Sequence, residues 1–180
     1  METLDIEKLF KAAEKHIAEH QCSAHPYKHG DRLVEYIIAR KPKRILEIGT
    51  GVGYTSVLMA IANPQAHIDT LEKDLTHAKT AKKYFKDKNV TAQISVINDF
   101  AETVLPMMDK QYDFIFFDGF QIHYEFLPQY KRLLKHGGIL FLANNHLKSK
   151  TSDQFFAELS DKKVWNILEQ FDDTSIVERS

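Results

Sequence analysis

The stretch Ile45-Leu46-Glu47-Ile48-Gly49-Thr50-Gly51-Val52-Gly53-Tyr54-Thr55 decides how the rest of the chain is read. A short apolar run contains one acidic residue, three glycines follow at alternate positions, and a helical pattern opens at Tyr54. Such a run reads as a buried parallel strand feeding a tight turn and a helix N-terminus. Glycine in that turn reaches backbone angles closed to other residues and lets a ligand come close to the main chain. The helix start adds unpaired N–H groups and partial positive charge.

On either side of this stretch the pattern alternates. Strands are expected at 43–48, 67–72, 93–97, 112–117 and 138–143, with helices at 54–62, 75–87, 100–108, 124–135 and 151–160. Asp74 suits the cap of the second of these helices, and Asp99-x-x-Glu102 makes a capping-box pattern for the third. Two helices precede them. One spans 4–19, with Ile6, Phe10, Ala13 and Ile17 on one face; the other runs through Leu33, Val34, Ile37 and Ile38 and stops before Pro42. Segments 164–171 and 174–179 read as two strands joined at Asp172-Asp173. Strand–helix alternation of this kind predicts an α/β fold, a doubly wound and mostly parallel sheet. Without linker, repeat or low-complexity tract, residues 1–180 are expected to form one domain, with 1–40 as an N-terminal helical extension.

Bulk properties narrow the classes. At 180 residues, with 43% hydrophobic and 27% charged content, the chain has the composition of a soluble globular domain. Lys+Arg 24 against Asp+Glu 25 gives no global pull toward nucleic acid or a membrane surface. The lysines from Lys79 to Lys88 read as a solvated helix face. Cys22 is the only cysteine, which excludes an intrachain disulfide and a cysteine-rich metal site. No long apolar stretch opens the chain, so the expectation is no signal peptide, no membrane span and a cytoplasmic location by default.

The glycine spacing separates two cofactor classes. A dinucleotide fingerprint is G-x-G-x-x-G, with a pyrophosphate on the helix N-terminus. Here the spacing is Gly49-x-Gly51-x-Gly53, and Glu47 stands two residues ahead, awkward beside a pyrophosphate but suited to a positively charged cofactor. This Glu-x-Gly-x-Gly-x-Gly turn resembles the first motif of class I S-adenosylmethionine (SAM)-dependent methyltransferases. Tyr54-Thr55 adds a resemblance to the small O-methyltransferases related to catechol and caffeoyl-CoA methyltransferases. The resemblance implies the Rossmann-like class I methyltransferase fold, whose last strand runs antiparallel, and SAM as cofactor.

It also implies roles for particular residues. Gly49, Gly51, Gly53 and Tyr54 would form the cofactor turn, and Glu47 would face the methionine ammonium. Thr55 would offer its hydroxyl to the methionine carboxylate, helped by the helix N-terminus. Glu72, closing the second strand, would accept from the ribose hydroxyls. Asp99 would accept from the adenine amino group, with Phe100 beside it. Asp118, ending the fourth strand, is counted with these cofactor-binding residues.

The acceptor side departs from the pattern. The metal-dependent relatives hold a divalent cation with acidic residues after the fourth and fifth strands. In Phe116-Phe117-Asp118-Gly119-Phe120-Gln121-Ile122-His123-Tyr124, Asp118 and Tyr124 match, but Phe120 and Gln121 replace the second acid and the lysine. In Leu142-Ala143-Asn144-Asn145, Ala143 stands at the ligand aspartate, and a one-residue slide puts Asn144 and Asn145 there instead. One carboxylate and amide oxygens hold a hard cation weakly, so no such metal site is expected. His123 and His146 follow neighbouring strands; they are the candidate general bases, with a softer transition-metal site completed by Asp118, or ordinary loop histidines, as the alternatives. The segment His25-Pro26-Tyr27-Lys28-His29 is placed over the same cleft.

The expectation is therefore methyl transfer from SAM to an oxygen of a small-molecule acceptor rather than nucleic acid. Acceptor contacts would come from the N-terminal helices, the loop at 144–152, or a second subunit in a homodimer. The competing readings are a catalytically silent SAM-binding protein, an RNA methyltransferase and a nicotinamide-dependent oxidoreductase.

Overall fold

A computed structural model describes residues 5–22, 24–146 and 148–180, the side chain of His20 excepted. Seven strands form one sheet in the order β3-β2-β1-β4-β5-β7-β6. These are β1 (Arg44–Ile48), β2 (His67–Leu71), β3 (Ile94–Ile97), β4 (Tyr112–Phe117), β5 (Leu134–Leu142), β6 (Trp165–Phe171) and β7 (Thr174–Arg179). The pairs from β3 to β5 are parallel, whereas β7 runs antiparallel to both β5 and β6. The helices are α1 (Ile6–His20), α2 (Gly30–Arg40), α3 (Tyr54–Ala62), α4 (Leu75–Asp87), α5 (Ala101–Val104), α6 (Leu127–Leu133) and α7 (Ser152–Leu159). None is long and apolar enough to cross a membrane.

Alternating side chains divide the core into two layers. Ile45, Phe114, Phe116, Ile139 and Phe141 face α1 to α4, meeting Leu33, Ile37, Val57 and Phe85. Leu46, Ile115, Phe117, Leu140 and Leu142 face α5 to α7, meeting Leu127, Tyr130 and Phe155. The central strands are covered on both faces, which explains their continuous apolar runs. From β1 the chain winds outward through β2 and β3, then returns to β4 on the other side of β1. That reversal leaves a crevice beyond the carboxyl ends of β1 and β4.

Most expected elements fall where the periodicity put them, α3 and α4 to the residue. Asp74 caps α4 by accepting from the N–H groups of Thr76 and His77 at 2.7 and 2.9 Å. The capping box at Asp99 does not form. The N-cap is Phe100, one residue later, so Asp99 accepts instead from the adjacent Phe100 N–H at 2.7 Å. The expected helix over 100–108 is a single α-turn followed by a 3-10 turn at Leu105–Met107, which carries Pro106. Likewise the helix expected at 124–135 is a 3-10 turn, Tyr124–Phe126, followed by α6. Strand β5 begins at Leu134 rather than 138, with Gly137 at φ 73° and a register shift against β4. Two glycines in that stretch hide the strand from a propensity reading.

Candidate active site

The crevice at the switch point is a cavity of about 840 Å³, within the range of small-molecule sites. Its floor is the turn after β1, and its two ends are formed after β2 and after β4 and β5.

The turn takes its shape from two glycines with different tasks. Gly49 has φ 97°, and a Cβ there would lie 2.5 Å from the main-chain oxygen of Asp118. Its absent side chain therefore lets β1 and β4 end side by side. Gly53 has φ 92°, and a Cβ would lie 2.5 Å from the ring of Phe85 on α4. Gly53 serves helix packing and does not line the cavity. Gly51, at φ 52°, has only the Ala24 methyl nearby, at 3.6 Å, and it opens onto the cavity.

Glu47 is fully buried behind this turn. It accepts from the hydroxyls of Thr55, Ser56 and Thr70, and Thr50 in turn hydrogen-bonds Thr70 at 2.7 Å. One carboxylate thus ties β1 to the first turn of α3, to β2 and to the glycine turn. Burial pushes its pKa up to about 7, against the lowering effect of the three hydroxyls. The expected contact of Glu47 with a methionine ammonium does not match this placing, because Glu47 is not part of the cavity wall. Thr55 does line the cavity, but its hydroxyl donates to Glu47, so the expected donor to a cofactor carboxylate is already committed. Tyr54 lines the cavity at the same helix N-terminus.

Glu72 stands at the end of β2 with its carboxylate between two main-chain N–H groups. It accepts from Gly51 and from Asp74, each at 2.8 Å, leaving a free lone pair on each oxygen. Asp99 lines the far end of the cavity. Phe100, 56% exposed, follows Asp99 but lies outside the lining.

The other end gathers Asp118, His123, Asn144 and His146, all in the cavity wall. Asn144, at φ 59°, turns its amide to Asp118, donating at 2.8 Å. Asn145 turns the opposite way and donates to Ser175 on β7. Of the two asparagines, Asn144 lines the cavity. Burial and then the charge of Glu47 raise the Asp118 carboxyl well above the ordinary range, opposed by the Asn144 amide. His123 packs edge-on to Phe126 at 5.6 Å between centroids. His146 instead pairs with a carboxylate: its Nδ1 lies 3.1 Å from Asp173 Oδ2.

A family-type divalent cation does not fit this end. Ala143 is fully buried, Phe120 is an exposed ring, and neither offers an oxygen from its side chain. Among the described residues, Asp118 belongs to no cluster of three or more ligating side chains. A hard cation requires six or more oxygens, usually with several charges.

The segment before α2 closes the cavity, as expected, through Ala24 to Lys28. Tyr27 anchors it, sharing a 2.8 Å hydrogen bond with Thr174 and packing edge-on against Phe116 and Phe141.

A family model described as O-methyltransferase matches residues 3–172. The chain belongs to the O-methyltransferase family. A catechol O-methyltransferase from Niastella koreensis is 32% identical over 111 residues, which are 59% of this chain and 50% of that one. The chain thus spans about half the length of this curated relative. A crystal structure of a putative O-methyltransferase from Klebsiella pneumoniae superposes with a TM-score of 0.80 at 19% identity, covering 100% of this chain and 91% of that one. An O-methyltransferase from Bacillus cereus in complex with SAH gives a TM-score of 0.80 at 19% identity, covering 94% and 89%. These likenesses establish the family fold, with its antiparallel closing strand.

Sequence reasoning missed three residues of the site. Ser56 and Thr70 were silent because hydroxyls converge on Glu47 only once α3 and β2 are docked. Asp173 was read as a turn residue, yet that turn carries it to His146. The one signal available was its position beside a hairpin that pairs with β5.

Proposed function

We propose that the protein transfers a methyl group from SAM to an oxygen of a small-molecule acceptor, without a family-type metal ion. The observation that carries this reading is the arrangement along one cavity. At one end Glu72 is locked against the glycine turn; at the other a histidine–carboxylate pair waits beside Asp118.

SAM bound there would supply an activated methyl group, so the protein's task is alignment and removal of one proton. Glu72 accepts from the ribose hydroxyls through its free lone pairs, and Asp99 takes the adenine end. The bare backbone at Gly51 leaves room for the cofactor to pass, and the N-terminus of α3 faces its carboxylate. Glu47 acts indirectly, by holding the turn in shape. Asp118 and Asn144 set the boundary between cofactor and acceptor.

His146 removes the acceptor proton. With Nδ1–H directed at Asp173, Nε2 carries the lone pair that receives it. SAM held there would supply the methyl group; Nε2 of His146 would take the acceptor proton and the Asp173 carboxylate would steady the imidazolium. His123 sits across the same mouth, as a second polar contact for the acceptor. Phe117, Phe126 and the 65% exposed Phe120 offer ring faces, which favours a planar, hydroxyl-bearing acceptor. The single free thiol suits a reducing, cytoplasmic setting.

Incubation with SAM and a panel of phenols in excess EDTA tests this directly. Acceptor-dependent release of S-adenosylhomocysteine is expected. Binding of that product without turnover on any phenol would favour the silent SAM-binding alternative. Activity only after Mg²⁺ is restored would overturn the metal-free step.

A further inference from the structure

Away from the acceptor end, three side chains converge between the N-terminal helix and α4. His16 lies in the last turns of α1, Cys22 follows that helix's cap at Gln21, and His77 sits in the first turn of α4. The ligand atoms of His16, Cys22 and His77 all lie within 4.8 Å of one another. The two imidazole rings meet edge to face, 5.7 Å between centroids and at 69°.

We propose that His16, Cys22 and His77 form a binding site for a thiophilic transition-metal ion of the Zn²⁺ class. The donor set decides the class: two imidazoles and one thiolate suit Zn²⁺ or Co²⁺ and are wrong for Mg²⁺ or Ca²⁺. Three protein ligands leave a fourth tetrahedral position for water. Bond lengths of about 2.0–2.1 Å to nitrogen and 2.3 Å to sulfur put tetrahedral ligand atoms about 3.3–3.6 Å apart. Closing from within 4.8 Å therefore asks for a movement on the order of 1 Å.

The backbone allows that movement where it is needed. His77 is held by the Asp74 cap, which fixes α4's first turn. Cys22 lies just beyond a helix end whose cap residue has φ 50°, in a segment outside helix and sheet. The thiol loses its proton on coordination, and both imidazoles bind as neutral ligands, so affinity rises with pH. This assignment is independent of methyl transfer. Its structural consequence is a bridge from α1 to α4, beside the segment 24–28 and residue His77 that both line the cavity.

Cobalt reports the ligands directly. The reduced full-length chain, stripped with chelator, is titrated with Co²⁺ and followed by absorption. The expected result is saturation at one ion per chain, tetrahedral visible bands and a thiolate-to-cobalt charge-transfer band, all displaced by Zn²⁺. Cys22→Ser should remove the charge-transfer band. His77→Gln should weaken binding by at least about tenfold, since even outer-shell partners of ligands are worth that much. His25→Gln, altering a histidine outside the triad, should leave the spectrum intact. Thermal melts of each variant separate lost ligation from lost folding. A spectrum without thiolate charge transfer, one unchanged in Cys22→Ser, or one abolished by His25→Gln would overturn the assignment.

Discussion

The two ends of the cavity are built on different principles. At the cofactor end, shape is set by backbone: glycines that no side chain can replace, and carboxylates whose oxygens are already engaged by main-chain N–H groups or buried hydroxyls. At the acceptor end, shape is set by side chains on loops: an exposed phenylalanine, a histidine leaning on a hairpin carboxylate, an asparagine in the left-handed region. Loops on a rigid scaffold are where specificity changes without refolding the domain. On the proposed reading, the backbone-built end takes the methyl donor, and the end lined by His123 and His146 takes the acceptor.

The sharpest way to break this contrast is at the acceptor end. His146→Ala should lower kcat by about 10²–10⁴-fold, the usual contribution of a general base, and leave S-adenosylhomocysteine affinity unchanged. Steady-state kinetics beside calorimetry checks it; equal losses in both would make His146 a binding residue instead. At the cofactor end the largest effect falls on folding. Gly49→Ala should destabilise by about 3 kcal/mol or more, combining a left-handed backbone with a Cβ 2.5 Å from the Asp118 carbonyl oxygen. Urea unfolding measures it, and a change below about 1 kcal/mol would show that the two strand ends can part easily.

Smaller effects refine the picture. In Glu72→Gln the new amide must point a donor at the N–H of Gly51 or Asp74, which should cost about 1–3 kcal/mol in cofactor binding. Undiminished affinity would remove Glu72 from the site. Glu47 adds a pH dependence. Its folded pKa, about 7, lies above the ordinary carboxyl value of 4.5, so the native state binds the extra proton between those values. Stability from this group is present below about pH 4.5 and lost as pH rises toward 7, by about 3 kcal/mol, then level above. Glu47→Gln should flatten that slope in melts across the same range. An identical slope in the variant would assign the titration elsewhere.

The same contrast explains how much could be read from the sequence. The turn at 49–55 was legible because positive φ and close approach leave glycine as the residue that fits, and because β1 announces itself as a buried run. The position of Glu72, at the end of β2 and in the cavity wall, was legible from the strand pattern. The surroundings of Glu47 were not legible, since no periodicity reveals that Thr55, Ser56 and Thr70 will enclose it. The pairing of His146 with Asp173 joins a loop to a hairpin turn, a contact fixed by β7 entering the sheet beside β5. Local propensity carries no trace of that. The same limit hid the start of β5, where Gly137 and Gly138 mimic a loop.

Isothermal titration of S-adenosylhomocysteine into the wild-type chain and Gly51→Val tests the central claim most directly. One site per chain with micromolar affinity is expected for the wild type. In the variant, a branched side chain enters the cavity floor and binding should disappear; the strain at φ 52° lowers stability, so titration is run at a temperature where circular dichroism shows the variant folded. Wild-type protein that gives no heat with this ligand, or a variant that binds as tightly as wild type, would contradict the account.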